Sequence, residues 1–190
     1  MKKPGREPME YNLRENDLHL LVAKKLKAAF HITPNLLFYE VPIGGSRADI
    51  LCVQPPMPYE TVLRPGVHVF EVKMNGDKDS WRLKAQLRNY ATAADYVWLV
   101  GVNKQVETEN ERAGLLLFDT KRCGIEISRE ALLNNGTTDV AMRQELLAGI
   151  ALDLKKRYNH VCDMARTNHK ARTKKIMMQL KLPVDPDRLN

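Results

Sequence analysis

The sequence has no apolar stretch long enough to cross a bilayer; its longest, YVWLVGV at 96–102, is strand-sized. The basic start, MKKPGREPME, has no apolar segment behind it and does not read as a secretory signal. The three cysteines, Cys52, Cys123 and Cys162, are odd in number and far apart. They fit neither a disulfide framework nor a zinc knuckle, and a reducing cytoplasm is the natural expectation. Internal repeats and low-complexity tracts are also missing. Aromatic residues make up only 6% of the chain, so few are evident for stacking on single-stranded bases.

What the chain does have is a globular composition, 44% hydrophobic and 28% charged over 190 residues, enough for one domain with a helical appendage. The net charge of +7 is concentrated at the ends. Residues 143–190 carry 11 Lys+Arg against 5 Asp+Glu, and residues 1–30 carry 7 against 4, which leaves the middle at −2. A mildly acidic centre between basic ends suits a metal site beside a polyanion track, and equally a lysine-rich solvated surface.

Residues 1–11 read as a loose arm. NDLHLLVAKKLKAAF (16–30) predicts an amphipathic helix capped by Asn16, with Leu18, Leu21, Val22, Leu26 and Phe30 on one stripe. Strands are predicted at 36–43 and 47–53, joined as a hairpin by the glycines of GGS, and at 67–74 after a proline-rich loop. A helix follows at 81–94, then strands at 95–102, 114–120 and 124–128, and a helical tail in two or more pieces over 139–182.

The third strand, VHVFEVK, carries two charges inside an apolar run. Alternation puts Val67, Val69, Glu71 and Lys73 on one face and His68, Phe70 and Val72 on the other. Burying a carboxylate and an ammonium there costs several kcal/mol unless they are paired, hydrated or bound to a metal. Asp49, in RADILCV, is likewise a charge in an apolar row, and one antiparallel register sets it beside Glu71. Two carboxylates with a nearby lysine form either a structural ion-pair cluster or a cation site. An oxygen-only donor set favours Mg²⁺ or Mn²⁺ over zinc.

The elements RAD (47–49) and FEVK (70–73) resemble those of the PD-(D/E)XK nuclease superfamily, with Ala48 in place of the usual proline. Gln86 and Tyr90, in QLRNY, are similar to the Q-x-x-x-Y element of its RecB-like branch, and the layout looks closest to small bacterial DNA-repair-type members. The resemblance covers roughly residues 12–130 and implies a restriction-endonuclease-like α-β-β-β-α-β core. The order of elements above, helix, three strands, helix, strands, is likewise that of an α/β fold with a mixed sheet flanked by helices, and residues 139–190 read as a basic helical C-terminal extension.

What the resemblance implies is Mg²⁺- or Mn²⁺-dependent hydrolysis of phosphodiester bonds in DNA, in repair, recombination or phage–host conflict. Asp49, Glu71 and the Val72 carbonyl would ligate the metal, Glu15 would complete its surroundings, Lys73 would position the attacking water, and Gln86 would orient the site. Ser46, Arg47, Lys78, Arg82, Lys84 and Tyr90 are candidate nucleic-acid contacts near the mouth. The tail run RTNHKARTKK (166–175) adds Arg172, Lys174 and Lys175, as a helix along nucleic-acid backbone or a plain solvated one. Duplex or branched DNA is the expected substrate, with no membrane partner and a homodimer as one assembly. The alternatives are a non-cleaving nucleic-acid-binding or assembly protein on the same fold, and an RNA nuclease.

Overall fold

The computed structural model describes residues 15–32, 36–57, 59, 61–74, 81–134 and 139–179, with the side chains of 15–17, 169 and 173–179 excepted. Helix α1 (Glu15–Phe30) buries Leu18, Val22, Leu26 and Phe30, the stripe its apolar spacing predicts. Strands β1 (Leu37–Ile43) and β2 (Ser46–Gln54) form the expected antiparallel hairpin. Gly44 and Gly45 both take positive φ (55° and 79°), as a two-residue hairpin turn of the mirror-image type requires. Strand β3 (Gly66–Lys73) leads through residues 75–80 to helix α2 (Trp81–Ala93). Strands β4 (Tyr96–Val102), β5 (Gly114–Asp119) and β6 (Gly124–Arg129) complete the sheet, and helix α3 (Val140–Gln179) follows.

The six strands lie in the order β1-β2-β3-β4-β5-β6. The β3–β4 and β4–β5 pairs are parallel and the others antiparallel, so the sheet is mixed. Ile50, Cys52, Phe70, Val72, Trp98 and Val100 pack with the α1 stripe in one core cluster. Helix α2 packs on β1, β2 and β4 through Leu83, Leu87, Tyr90 and Ala93. Strands β3 and β4, covered on both faces, are buried almost throughout, which is why they read as near-continuous apolar runs.

At one point this packing leaves no room for a side chain. A Cβ on Gly101, which stands opposite Lys73 in the β3–β4 ladder, would collide with the Lys104 carbonyl and come within 2.9 Å of Val106. Gly101→Ala should therefore lower stability by about 1–3 kcal/mol. Urea unfolding would show this as a lower midpoint at unchanged slope.

The chain divides into two compact units, Met1–Leu146 and Leu147–Asn190. In the first, Arg143 donates to the Ala93 carbonyl (2.6 Å) and to Asp95 (2.8 Å), tying the start of α3 to the end of α2. Helix α3 is one continuous helix rather than the several pieces expected. Its sequence holds no proline, and its lone glycine, Gly149, costs about 1 kcal/mol without ending a helix. Among the described residues no helix is long and apolar enough to cross a membrane, and Cys52, Cys123 and Cys162 are all free.

Candidate active site

The site forms where two strands part. The β2–β3 ladder runs from Gln54↔Gly66 to Ile50↔Phe70, and Asp49 and Glu71 are the next residues of the two strands beyond it. The paired register ends at Phe70, and the Val72 N–H donates to Asp49 Oδ2 at 2.7 Å. In an antiparallel strand a residue's N–H and C=O point to the same neighbour, so the Val72 carbonyl faces the same gap. The β1–β2 ladder is interrupted here too: Glu40, between the paired Tyr39 and Val41, has a φ of 53°. A non-glycine residue in that region inside a strand carries backbone strain, which concentrates at functional sites.

Glu71 is 2% exposed, and both of its oxygens have partners. Lys73 Nζ donates to Oε1 at 2.8 Å, and the Tyr90 hydroxyl lies 2.9 Å from Oε2 and 2.6 Å from the Arg47 carbonyl. A hydroxyl has one proton, so the Tyr90 O–H is shared between these acceptors. Gln86 also hydrogen-bonds the phenol, whose pKa is driven upward by burial and by the Glu71 charge. The Q-x-x-x-Y pair is thus a positioning chain from Gln86 through Tyr90 to Glu71. These contacts account for Glu71 and Lys73 in an apolar strand.

They do not account for Asp49. Burial first, and then the charge of Glu71, hold its carboxyl up at about 7 from the ordinary 3.8, against the Val72 N–H, His19 and Lys73. His19, on the buried stripe of α1 and 6% exposed, turns Nδ1 toward Glu40 Oε1 at 3.3 Å. With Nδ1–H donating to Glu40, the lone pair on Nε2 faces Asp49 Oδ2 at 3.8 Å, too far for a hydrogen bond. Nε2 is buried without a hydrogen-bond partner. Ligand atoms of His19, Glu40 and Asp49 all lie within 4.8 Å of one another, so this trio could hold a metal ion. The donor set therefore includes an imidazole and is not oxygen-only. Glu71 stands outside the trio, its oxygens held by Lys73 and Tyr90.

Asp49, Glu71, Lys73 and Gln86 open onto one cleft of about 1460 Å³ together with Glu40, Ser46, Arg47, Trp81 and Arg82. Ser46 accepts a hydrogen bond from Asn89 (2.9 Å), and the exposed Arg47 guanidinium lies 3.8 Å from Glu40. Lys84 pairs with Glu109 at 2.8 Å and does not line the cleft. The expected contact of Tyr90 with nucleic acid is incorrect: its ring is wholly buried, and its hydroxyl is engaged within the protein. Arg172 is exposed on the second unit. Lys78 and the side chains of Glu15, Lys174 and Lys175 lie outside the described residues. The sequence pattern singled out neither His19 nor Glu40. Its one available signal was His19 as an ionisable residue between Leu18 and Val22 on the apolar stripe.

No protein-family profile matches the chain, and no curated protein matches it. Among solved structures, the SPO1766 protein of unknown function from Silicibacter pomeroyi is similar at a TM-score of 0.50 and 22% identity. The match covers 81% of this chain and 95% of that one, and it shows that the fold recurs. A second, SSO0001, superposes at a TM-score of 0.28 with 18% identity over 71% of this chain and 57% of that one, too loosely to carry an argument.

Proposed function

We infer that this chain is a metal-dependent phosphodiester hydrolase acting on DNA. The observation that carries the reading is the buried His19 Nε2, without a hydrogen-bond partner and set behind Asp49, whose carboxyl, raised in pKa, lines the cleft with Glu71 and Lys73. A structural ion-pair cluster explains the Glu71–Lys73 contact and sets a protonated His19 against Asp49, but at 3.8 Å it leaves Nε2 without a hydrogen bond. Buried polar atoms without partners are rare, and an ion between imidazole and carboxylate satisfies both.

His19 and Asp49 would hold the ion, with Glu40 as a further ligand or as the acceptor that fixes the His19 tautomer. The Val72 carbonyl and a released Glu71 are within the same fork. An imidazole beside carboxylates suits Mn²⁺ at least as well as Mg²⁺. A bound divalent ion would polarise a phosphate oxygen and lower the pKa of a coordinated water. Lys73 contributes a fixed positive charge next to the point where negative charge builds up, and Tyr90 with Gln86 keeps Glu71 in place. Arg47 and Arg82, exposed at the rim, supply sequence-independent attraction to the phosphate backbone. The resemblance to PD-(D/E)XK nucleases supports the same chemistry through Asp49, Glu71 and Lys73.

The test is cleavage of plasmid, single-stranded and branched DNA with Mn²⁺ or Mg²⁺. Wild type should cut only with metal, and Lys73→Ala should cut about a hundred- to a thousandfold more slowly. DNA retained equally by both proteins, with no cutting under either metal, would replace the hydrolase with a binding protein on the same fold.

A further inference from the structure

Trp81 opens α2 with 82% of its surface exposed, yet it lines the cleft that holds Asp49, Glu71 and Lys73. The chain's other tryptophan, Trp98, is 3% exposed and stacks on Phe70 with ring centroids 6.0 Å apart. A large apolar ring left in water on a concave, charged wall has a planar partner to gain. Arg82, the next residue, is also exposed on that wall, so the partner is planar and attached to an anion. A nucleobase on a phosphodiester has both properties. Inside a duplex its faces are covered by neighbouring pairs and only its edges show, so an indole can reach a face only where the base is unpaired.

We propose that Trp81 is a stacking platform for an unpaired base flanking the phosphate at the Asp49–Lys73 site. The preferred substrate is then single-stranded DNA, or the single-stranded part of a tailed or branched duplex. The proposal rests on the hydrolase reading for where the phosphate sits, and it departs from the duplex preference that the scarcity of aromatics suggested.

Because Trp98 is buried, a change in tryptophan fluorescence on adding DNA reports Trp81. The full-length chain carrying Asp49→Asn, which leaves α2 untouched, is titrated without metal. Oligothymidylate should quench the emission strongly, and a blunt duplex of equal length should not. By the anisotropy of a dye-labelled strand, which needs no tryptophan, adding Trp81→Ala should weaken oligothymidylate binding by roughly five- to a hundredfold, whereas Trp81→Phe should keep most of it. Equal quenching by the duplex, or unchanged affinity in Trp81→Ala, overturns the proposal. Tighter binding of oligouridylate than of oligothymidylate overturns its assignment to DNA. Quenching that depends on Trp81 in a protein that cuts nothing under any metal would sink the hydrolase reading alone. Duplex cutting that is indifferent to Trp81 would sink only the stacking role.

Discussion

Asp49→Asn is expected to reduce metal-dependent cleavage by about a thousandfold while making the folded protein more stable at pH 8. The two effects have one cause. Above pH 7 the native protein holds a charged carboxylate in a buried site beside Glu71, where burial and repulsion oppose the charge. An asparagine has nearly the same shape, and its carbonyl oxygen can still accept the Val72 N–H, so the fork keeps its hydrogen bond. The amide binds a divalent cation far more weakly and carries no charge to desolvate. The rise from 3.8 to about 7 sets a ceiling near 4 kcal/mol on the gain. Coupling to Glu71 and Lys73 reduces this to about 2 kcal/mol. Thermal melts at pH 8 with single-turnover cleavage would measure both. A variant that loses stability and cutting together would instead mark Asp49 as structural.

Acid should weaken metal binding steeply. The ion requires Asp49 without its proton, and that carboxyl is held up at about 7, so below this pH each ion bound displaces at least the Asp49 proton. Apparent Mn²⁺ affinity should fall at least about tenfold per pH unit from 7 to 5 and level off above 8. Calorimetric titration in two buffers of different ionisation heat would count the proton, and an affinity unchanged between pH 8 and 6 would contradict the assignment.

The same carboxyl shapes stability. Its native pKa lies above the unfolded value, so its charge-burial penalty fades as pH falls from 7 toward 3.8. His68 does the opposite. Its Nδ1 accepts from Trp98 Nε1 at 3.1 Å, its Nε2–H donates to the Arg64 carbonyl at 2.7 Å, and burial lowers its pKa from 6.5 to about 4. The unfolded chain takes up this proton first, so the His68 contribution is complete above 6.5 and is lost as pH falls to 4. Wild type should show little net slope from these two groups across that window. Asp49→Asn should unmask the His68 slope, a loss of about 2 kcal/mol between pH 7 and 5.

Much of this could be read in the residues. Alternation along VHVFEVK and RADILCV set Asp49 and Glu71 on facing strands, and the strands are paired up to Ile50↔Phe70, one position short of those two residues. The α1 stripe and the Gly44–Gly45 hairpin were equally legible, because local spacing and turn chemistry decide them. His19 was not, because its role depends on α1 lying across the fork, a tertiary fact that no periodicity encodes. Glu40 escaped because regular alternation assumes regular φ, and its own is 53°. The spacing of Gln86 and Tyr90 showed one shared helix face but not that Tyr90 is sealed inward, and nothing near Trp81 announced that a helix start would be left uncovered.

The fork itself constrains what the protein can become. Had β2 stayed paired with β3 for two residues more, the Val72 amide would have found a main-chain acceptor and the sheet would be more complete. The aspartate would then be free to turn outward to solvent, and the recess between the strands would be zipped shut. Greater regularity of the sheet and retention of the candidate site are therefore opposed at this one junction. Selection for robustness alone would erase the gap in which a cation could rest.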